Sequence, residues 1–213
     1  DEGVDKTELQ ALYDANKALL QQSKTYHYIG FNIFKDAMLG AGNVLDNEKA
    51  TENDVRVAIK NINNALQTLQ YQIIFDLNDL IIDMESIKEV DYTKDSYVKL
   101  VKVIDNAKAI EDGSEYAVYE EAYNAVVEAH SQLTVLDRTH LIAIIEKAEA
   151  VDLDQYLDQG KETFIKALEN AKNVLSRISL TQKEVDEAIK VLDDAINAFE
   201  RIPQTVSKDE LKD

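Results

Sequence analysis

The apolar positions of this chain recur three and four residues apart, the spacing that collects side chains on one face of an α-helix. Between 34 and 45 the face reads Phe34, Ala37, Met38, Ala41, Val44 and Leu45; between 164 and 175 it reads Phe164, Ala167, Leu168, Ala171, Val174 and Leu175. Laid over each other without a gap, residues 7–70 and 137–200 share Lys17, Ala18, Tyr26, Gly30, Phe34, Ala37, Ala41, Asn43, Val44, Leu45, Thr51, Val55, Ala58, Ile59, Lys60 and Ala65 with their partners. Self-similarity of this kind marks an array of small units, each too small to bury a core well without a stacked neighbour.

Three helices are expected in each unit. In the first, Asp5 is the expected N-cap, with Glu8 at the third helical position and Val4 and Leu9 as a hydrophobic staple. The helix it starts runs over 6–23 and buries Leu9, Leu12, Ala15 and Leu19. A second helix runs from about Tyr28 to Leu45, softened by Gly40 and Gly42. Thr51, with Asp54 three residues on, caps a third that carries Val55, Ile59, Ile62, Leu66 and Leu69 inward. Neither Gly nor Pro occurs between Asn43 and Glu111. Residues 52–88 therefore read as one helix of about 36 residues, roughly 54 Å at 1.5 Å per residue, and 115–151 read the same way.

The middle unit diverges. Leu77, Ile81 and Met84 take the first-helix positions, and Leu100, Ile104 and Ala107 those of Phe34, Met38 and Ala41. After a turn at 111–114, two residues shorter than in the first unit, Tyr119, Ala122, Tyr123, Val126, Ala129 and Leu133 match Val55, Ala58, Ile59, Ile62, Ala65 and Leu69. In the third unit Tyr156 and Phe164 lie on or beside the second helix. Leu180, Thr181, Glu184 and Val185 make a capping box with its staple, and the last helix is expected to end near Arg201, before Pro203. Residues 206–211 repeat the form of residues 4–9, as a further repeat would. The expected fold is all-α: a tandem array of three antiparallel three-helix bundles joined by long shared helices, a spectrin-like rod. Its repeats fall at 4–73, 74–137 and 138–202, with a linker and possible next repeat at 203–213.

Composition agrees. Six Gly and one Pro in 213 residues are too few for the many short strands of a sandwich or barrel. With 41 acidic against 23 basic residues the formal charge is −18, which disfavours phosphate backbones and anionic membranes. No apolar run is long enough to span a bilayer and no leader pattern opens the chain, as in a mature fragment. Cysteine is absent, which excludes disulfides and thiol chemistry.

Candidate chemistry is sparse. His27, His130 and His140 stand far apart, without a second His or a Cys at ligand spacing, so no zinc site is expected. Asp152, Asp154 and Asp158 resemble a calcium loop, but Leu157 stands where the loop needs Gly and no Glu closes it. Carboxylates are too abundant for any pair to suggest acid and base work. No catalytic residue, metal ligand or cofactor is therefore expected. Tyr116, Tyr119 and Tyr123 form a stripe, two of whose members fall on the places of Val55 and Ile59, which makes them core. Tyr28 falls opposite Lys94 and Asp158, so the shared fold does not require its ring; it is the candidate ligand contact, with covering the free end of the array as the alternative role.

Tyr92 and Thr93 with Ser96, Tyr97 and Leu100, the Ala37, Met38 and Ala41 pattern, Val44 and Leu45, Thr51 and Val55 with Ala58, and the Val4, Asp5, Lys6, Thr7 start together resemble the FIVAR module. The likeness covers almost the whole chain three times, the second repeat departing from it after Ala107. It implies a three-helix module of secreted or wall-attached, hence extracellular, proteins of Gram-positive bacteria, found in large adhesins and in multimodular glycosidases. The implied function is a non-catalytic spacer or stalk and protein-interaction region; the alternative is an adhesin module that binds a host protein or glycan. Expected partners are neighbouring modules of the same chain and, under the alternative, that host protein or glycan. Nucleic acid, membrane insertion and self-association are not expected.

Overall fold

The computed structural model describes residues 3–26 and 28–198, with the side chains of residues 23–26 left aside. Over that span the chain is all-α apart from one small ribbon. The span expected as the first repeat holds α1 (Thr7–Asn16), α2 (Leu19–Tyr26), α3 (Phe31–Asp46) and α4 (Glu52–Thr68); that expected as the second holds α5 (Gln72–Glu85), α6 (Lys94–Lys108) and α7 (Tyr116–Ser131); that expected as the third holds α8 (Thr139–Glu149), α9 (Lys161–Ser176) and α10 (Gln182–Asn197). The ribbon pairs β1 (Tyr28–Ile29) with β2 (Gln70–Tyr71), antiparallel, Tyr28 opposite Tyr71.

Two compact units arise. The first contains the chain up to Glu85 together with Val103–Glu128, and the second contains Ser86–Lys102 with the chain from Ala129 onward. The division falls within α6 and α7, so the middle repeat contributes to both. In the first unit Leu9, Phe34, Met38, Ala41, Val55, Ala58, Ile62 and Ala65 form a buried cluster. In the second, Leu141, Ile145, Phe164, Ala171, Leu180, Val185 and Leu192 do the same. Both clusters come from the three-and-four spacing of the sequence, because only one face of each helix turns away from water.

The long shared helices are not formed. α4 ends at Thr68, Leu69 is extended at φ −77° and ψ 114°, and the ribbon occupies residues 70–71; α7 ends at Ser131, and residues 132–138 are not helical before α8 begins. Both breaks have the same cause. The extended residues find backbone partners in the segment that precedes the second helix: Tyr28 and Ile29 at the first break, and at the other Thr93 N–H donates to the Thr134 carbonyl at 2.8 Å and Leu136 N–H to that of Asp91 at 3.0 Å. Lack of Gly and Pro permits a helix; it does not outweigh satisfied ladder bonds and the burial of Leu136.

The first helix is also shorter than its pattern. Asn16 Nδ2 donates to the Leu12 carbonyl at 2.8 Å, and Leu20 and Gln21 bond three residues back to Lys17 and Ala18, the tight turn that separates α1 from α2. Its N-cap is Lys6 rather than Asp5. Asp5 still serves the helix start by accepting from Thr7 N–H at 2.9 Å, as Asp137 accepts from Thr139 N–H at 2.8 Å. These bonds set Asp5 level with Asp137 and Leu9 with Leu141, so the gapless overlay is out of register in the first helix. It is in register from Gly30 and Gly160, which both precede their helices in the left-handed conformation, φ 78° and 87°. Thr51 and Thr181 close capping boxes with Asp54 and Glu184 as expected. The expected helix end at Arg201, Pro203 and residues 206–211 lie outside the described residues.

Candidate ligand cleft

A file of rings leads out of the first core. Buried Phe34 meets Phe31 at 6.2 Å between centroids, Phe31 stacks with Tyr28 at 6.5 Å, Tyr28 with Tyr71 at 5.1 Å, and Tyr71 and Tyr116 meet T-shaped at 5.5 Å and 77°. The last three rings lie half-buried. Beside them, still within the first unit, opens a cleft of about 850 Å³. One wall is Tyr28, Gln70 and Tyr71; the floor is Ile74, Leu77 and Asn78 of α5 with Ala107 and Lys108 of α6; the other wall is the 110–115 turn with Tyr119.

That turn is held by its own polar groups. Ser114 Oγ donates to the Glu111 carbonyl at 2.7 Å, the Tyr119 hydroxyl donates to the same oxygen at 3.2 Å, and Gly113 supplies the left-handed residue, φ 84°. The carboxylates of Asp112 and Glu115 sit on it, exposed. Lys108 is ion-paired with Glu85, so among the described lining residues the charge left over is negative.

The second unit shows why the cleft exists. Buried Leu77, Ile81 and Met84 correspond to buried Leu141, Ile145 and Ala148, and the Lys108 pair with Glu85 recurs as Lys172 with Glu149. In that register Ile74 matches Arg138. Arg138 donates from Nη1 to the Val90 carbonyl at 2.6 Å and from Nη2 to the Arg177 carbonyl at 3.0 Å. Leu180, fully buried, accepts from Lys94 N–H at 2.7 Å. Gln182 exchanges two 3.0 Å bonds with the backbone of Asp137. The second unit is thus closed by an arginine, a leucine and a glutamine. Where the first unit has Ile74 on α5, and Ser114 and Tyr116 at a turn two residues shorter, the described residues leave the equivalent space open.

The sequence-predicted residues fall as follows. Tyr28 does line the cleft, but the ladder sets it level with Tyr92, which faces Val135 in an isolated bridge, rather than with Lys94. An aromatic at this place is therefore part of the shared fold, and Tyr71, in the place of Val135, is the ring added here. Tyr119 is buried as expected, whereas Tyr116 and Tyr123 are half-buried and Tyr116 packs on Tyr71. His130 and His140 are exposed, and His27 lies outside the described residues. Asp152 caps a 3-10 turn by accepting from Asp154 N–H at 3.1 Å, and Asp158 pairs with Lys161 at 3.1 Å. Among the described residues no group of three His, Asp or Glu is placed to hold a metal, and no helix is long and apolar enough to cross a membrane. Sequence reasoning missed Tyr71; the signals were the shortened turn and an aromatic at the junction between repeats where the matching junction has Val135.

A family model described as the FIVAR domain matches residues 5–70 and 137–200, the first and third repeats. The polysaccharide lyase 8 family protein HylA of Enterococcus faecalis is 24% identical over 212 residues, covering 94% of this chain and 15% of its own length. The chain thus spans a small part of that relative. No solved structure matches it.

Proposed function

We propose that this chain, which belongs to the FIVAR domain family, is a non-catalytic spacer and protein-interaction region of a larger secreted or cell-wall-attached bacterial protein. The observation that carries the reading is what the first and third repeats have kept in common. Phe34, Ala41, Val55, Ala58 and Ala65 and their partners are buried, Thr51 and Thr181 are caps, and Gly30 and Gly160 are left-handed helix starts. Repetition has preserved the means of folding and stacking, as a scaffold requires, and has not preserved a reactive constellation. Any catalytic activity of the parent protein belongs, in this reading, to another region, consistent with the 15% of the relative that is covered. The alternative, an adhesin module for a host protein or glycan, draws its support from the cleft of the first unit.

The two roles separate in one experiment. The region is replaced in the parent open reading frame by an unrelated helical array of similar length, and surface display and function are measured. Full rescue is the expected result for a spacer; loss that only the native region restores would overturn that half of the reading and leave the interaction role.

A further inference from the structure

Where the second unit closes on its own guanidinium, the first unit has Ile74 and an open, tyrosine-lined, acidic cleft. We infer that this cleft binds a basic peptide segment, seating an arginine or lysine side chain against Tyr28 and Tyr71 within reach of Asp112 and Glu115. The proposal rests on the interaction half of the reading above and names its partner by chemistry.

Three observations support that occupant. The first is the register: Ile74 stands where Arg138 stands, so an external cation enters a space that the chain fills with its own in the other unit. The second is charge. Lys108 is spoken for by Glu85, no other described lining residue offsets Asp112 and Glu115, and the whole chain carries −18, which attracts a cation and repels an acidic ligand. The third is the surface itself: half-buried tyrosine rings beside carboxylates pack the aliphatic stem of an arginine or lysine while the carboxylates take its charge by charge-assisted hydrogen bonds. The unit supplies this pairing only by departing from its sister, through Tyr71 for Val135, Ser114 for Leu180 and the shortened turn.

The probe is hexa-arginine peptide, titrated calorimetrically into the full chain at physiological ionic strength, with hexaglutamate and cellohexaose titrated in parallel. Expected is one-to-one binding of hexa-arginine alone. Tyr71→Val and the double change Asp112→Asn with Glu115→Gln each weaken it on the order of tenfold, as the loss of stem packing or of a charge-assisted contact should. Asp36→Asn with Glu169→Gln, the same loss of charge outside the cleft, changes it by less than about twofold because exposed charges are screened. Ile74→Arg, which offers the cleft a guanidinium of its own, abolishes binding while far-ultraviolet dichroism stays unchanged. Equal weakening by the two double variants would reduce the effect to bulk attraction and overturn the proposal, as would absence of hexa-arginine binding or Tyr71-dependent binding of cellohexaose instead. None of these results bears on the replacement experiment, so failure here leaves the spacer reading standing on its own test.

Discussion

Tyr71 stacks on Tyr28 across a ribbon of two residues per strand, ring centroids 5.1 Å apart and planes inclined by 23°. The pair joins the core of the first repeat to the rim of the cleft. It also divides the aromatic file into a part that holds the fold and a part that faces outward.

That division is measurable. Phe34 is fully buried, and Phe34→Ala is expected to destabilise the first unit by about 3–5 kcal/mol through lost transfer energy and a cavity. Tyr71→Val, which restores the residue of the sister position, removes one stacked and one T-shaped contact and is expected to cost about 1–3 kcal/mol, less than Phe34→Ala. Urea denaturation of both variants would check the order; equal losses would place Tyr71 in the core.

Gly30 and Gly160 separate backbone strain from steric clash. A Cβ on Gly30 would lie 2.8 Å from the Thr68 carbonyl oxygen, whereas on Gly160 the nearest neighbour is Ala198 O at 4.0 Å. Both Ala substitutions incur the left-handed penalty of about 1–2 kcal/mol, and Gly30→Ala is expected to lose more, since the ribbon must shift to admit the methyl. Thermal denaturation would show the difference in midpoint.

Arg138 reaches two carbonyls from different segments, Val90 and Arg177. Arg138→Met fills similar space yet leaves both oxygens without their donor, and a loss of about 1–3 kcal/mol in the second unit is expected. Arg138→Lys should fall between, because a single ammonium lacks the planar fork that spans both. Chemical denaturation of the three proteins tests the ranking.

Acid should loosen the third repeat through its capping box. The Thr181 backbone N–H, then Arg177 and the Thr181 hydroxyl, draw the Glu184 carboxyl from 4.5 down to about 2. A lowered folded value means that the contribution is complete above the ordinary pKa and is lost as pH falls through the folded one. Stability is therefore expected to decline between about pH 4.5 and 2 on this account. Glu184→Gln should be less stable than the parent at neutral pH and converge with it in acid, which denaturation midpoints across that range would register. A constant gap at every pH would assign the effect to shape rather than charge.

By itself the sequence determined what is local and periodic. The faces of α3, α4, α9 and α10 follow from the spacing of Phe34, Ala41, Val55 and Ile62 and their counterparts, because a helix has only one way to bury residues three and four apart. The Thr51 and Thr181 caps were legible for the same reason: a hydroxyl and a carboxylate three residues apart meet the first free N–H groups whatever surrounds them. Tertiary structure decided the junctions. Residues 69–71 and 132–138 carry no helix breaker, and only the partner segments at Tyr28, Asp91 and Thr93 make extended backbone the better state there. The cleft was hidden for a related reason. It arises from what Ile74, Ser114 and Tyr116 fail to fill, and an unfilled space becomes visible only when Arg138, Leu180 and Gln182 are seen to fill its counterpart.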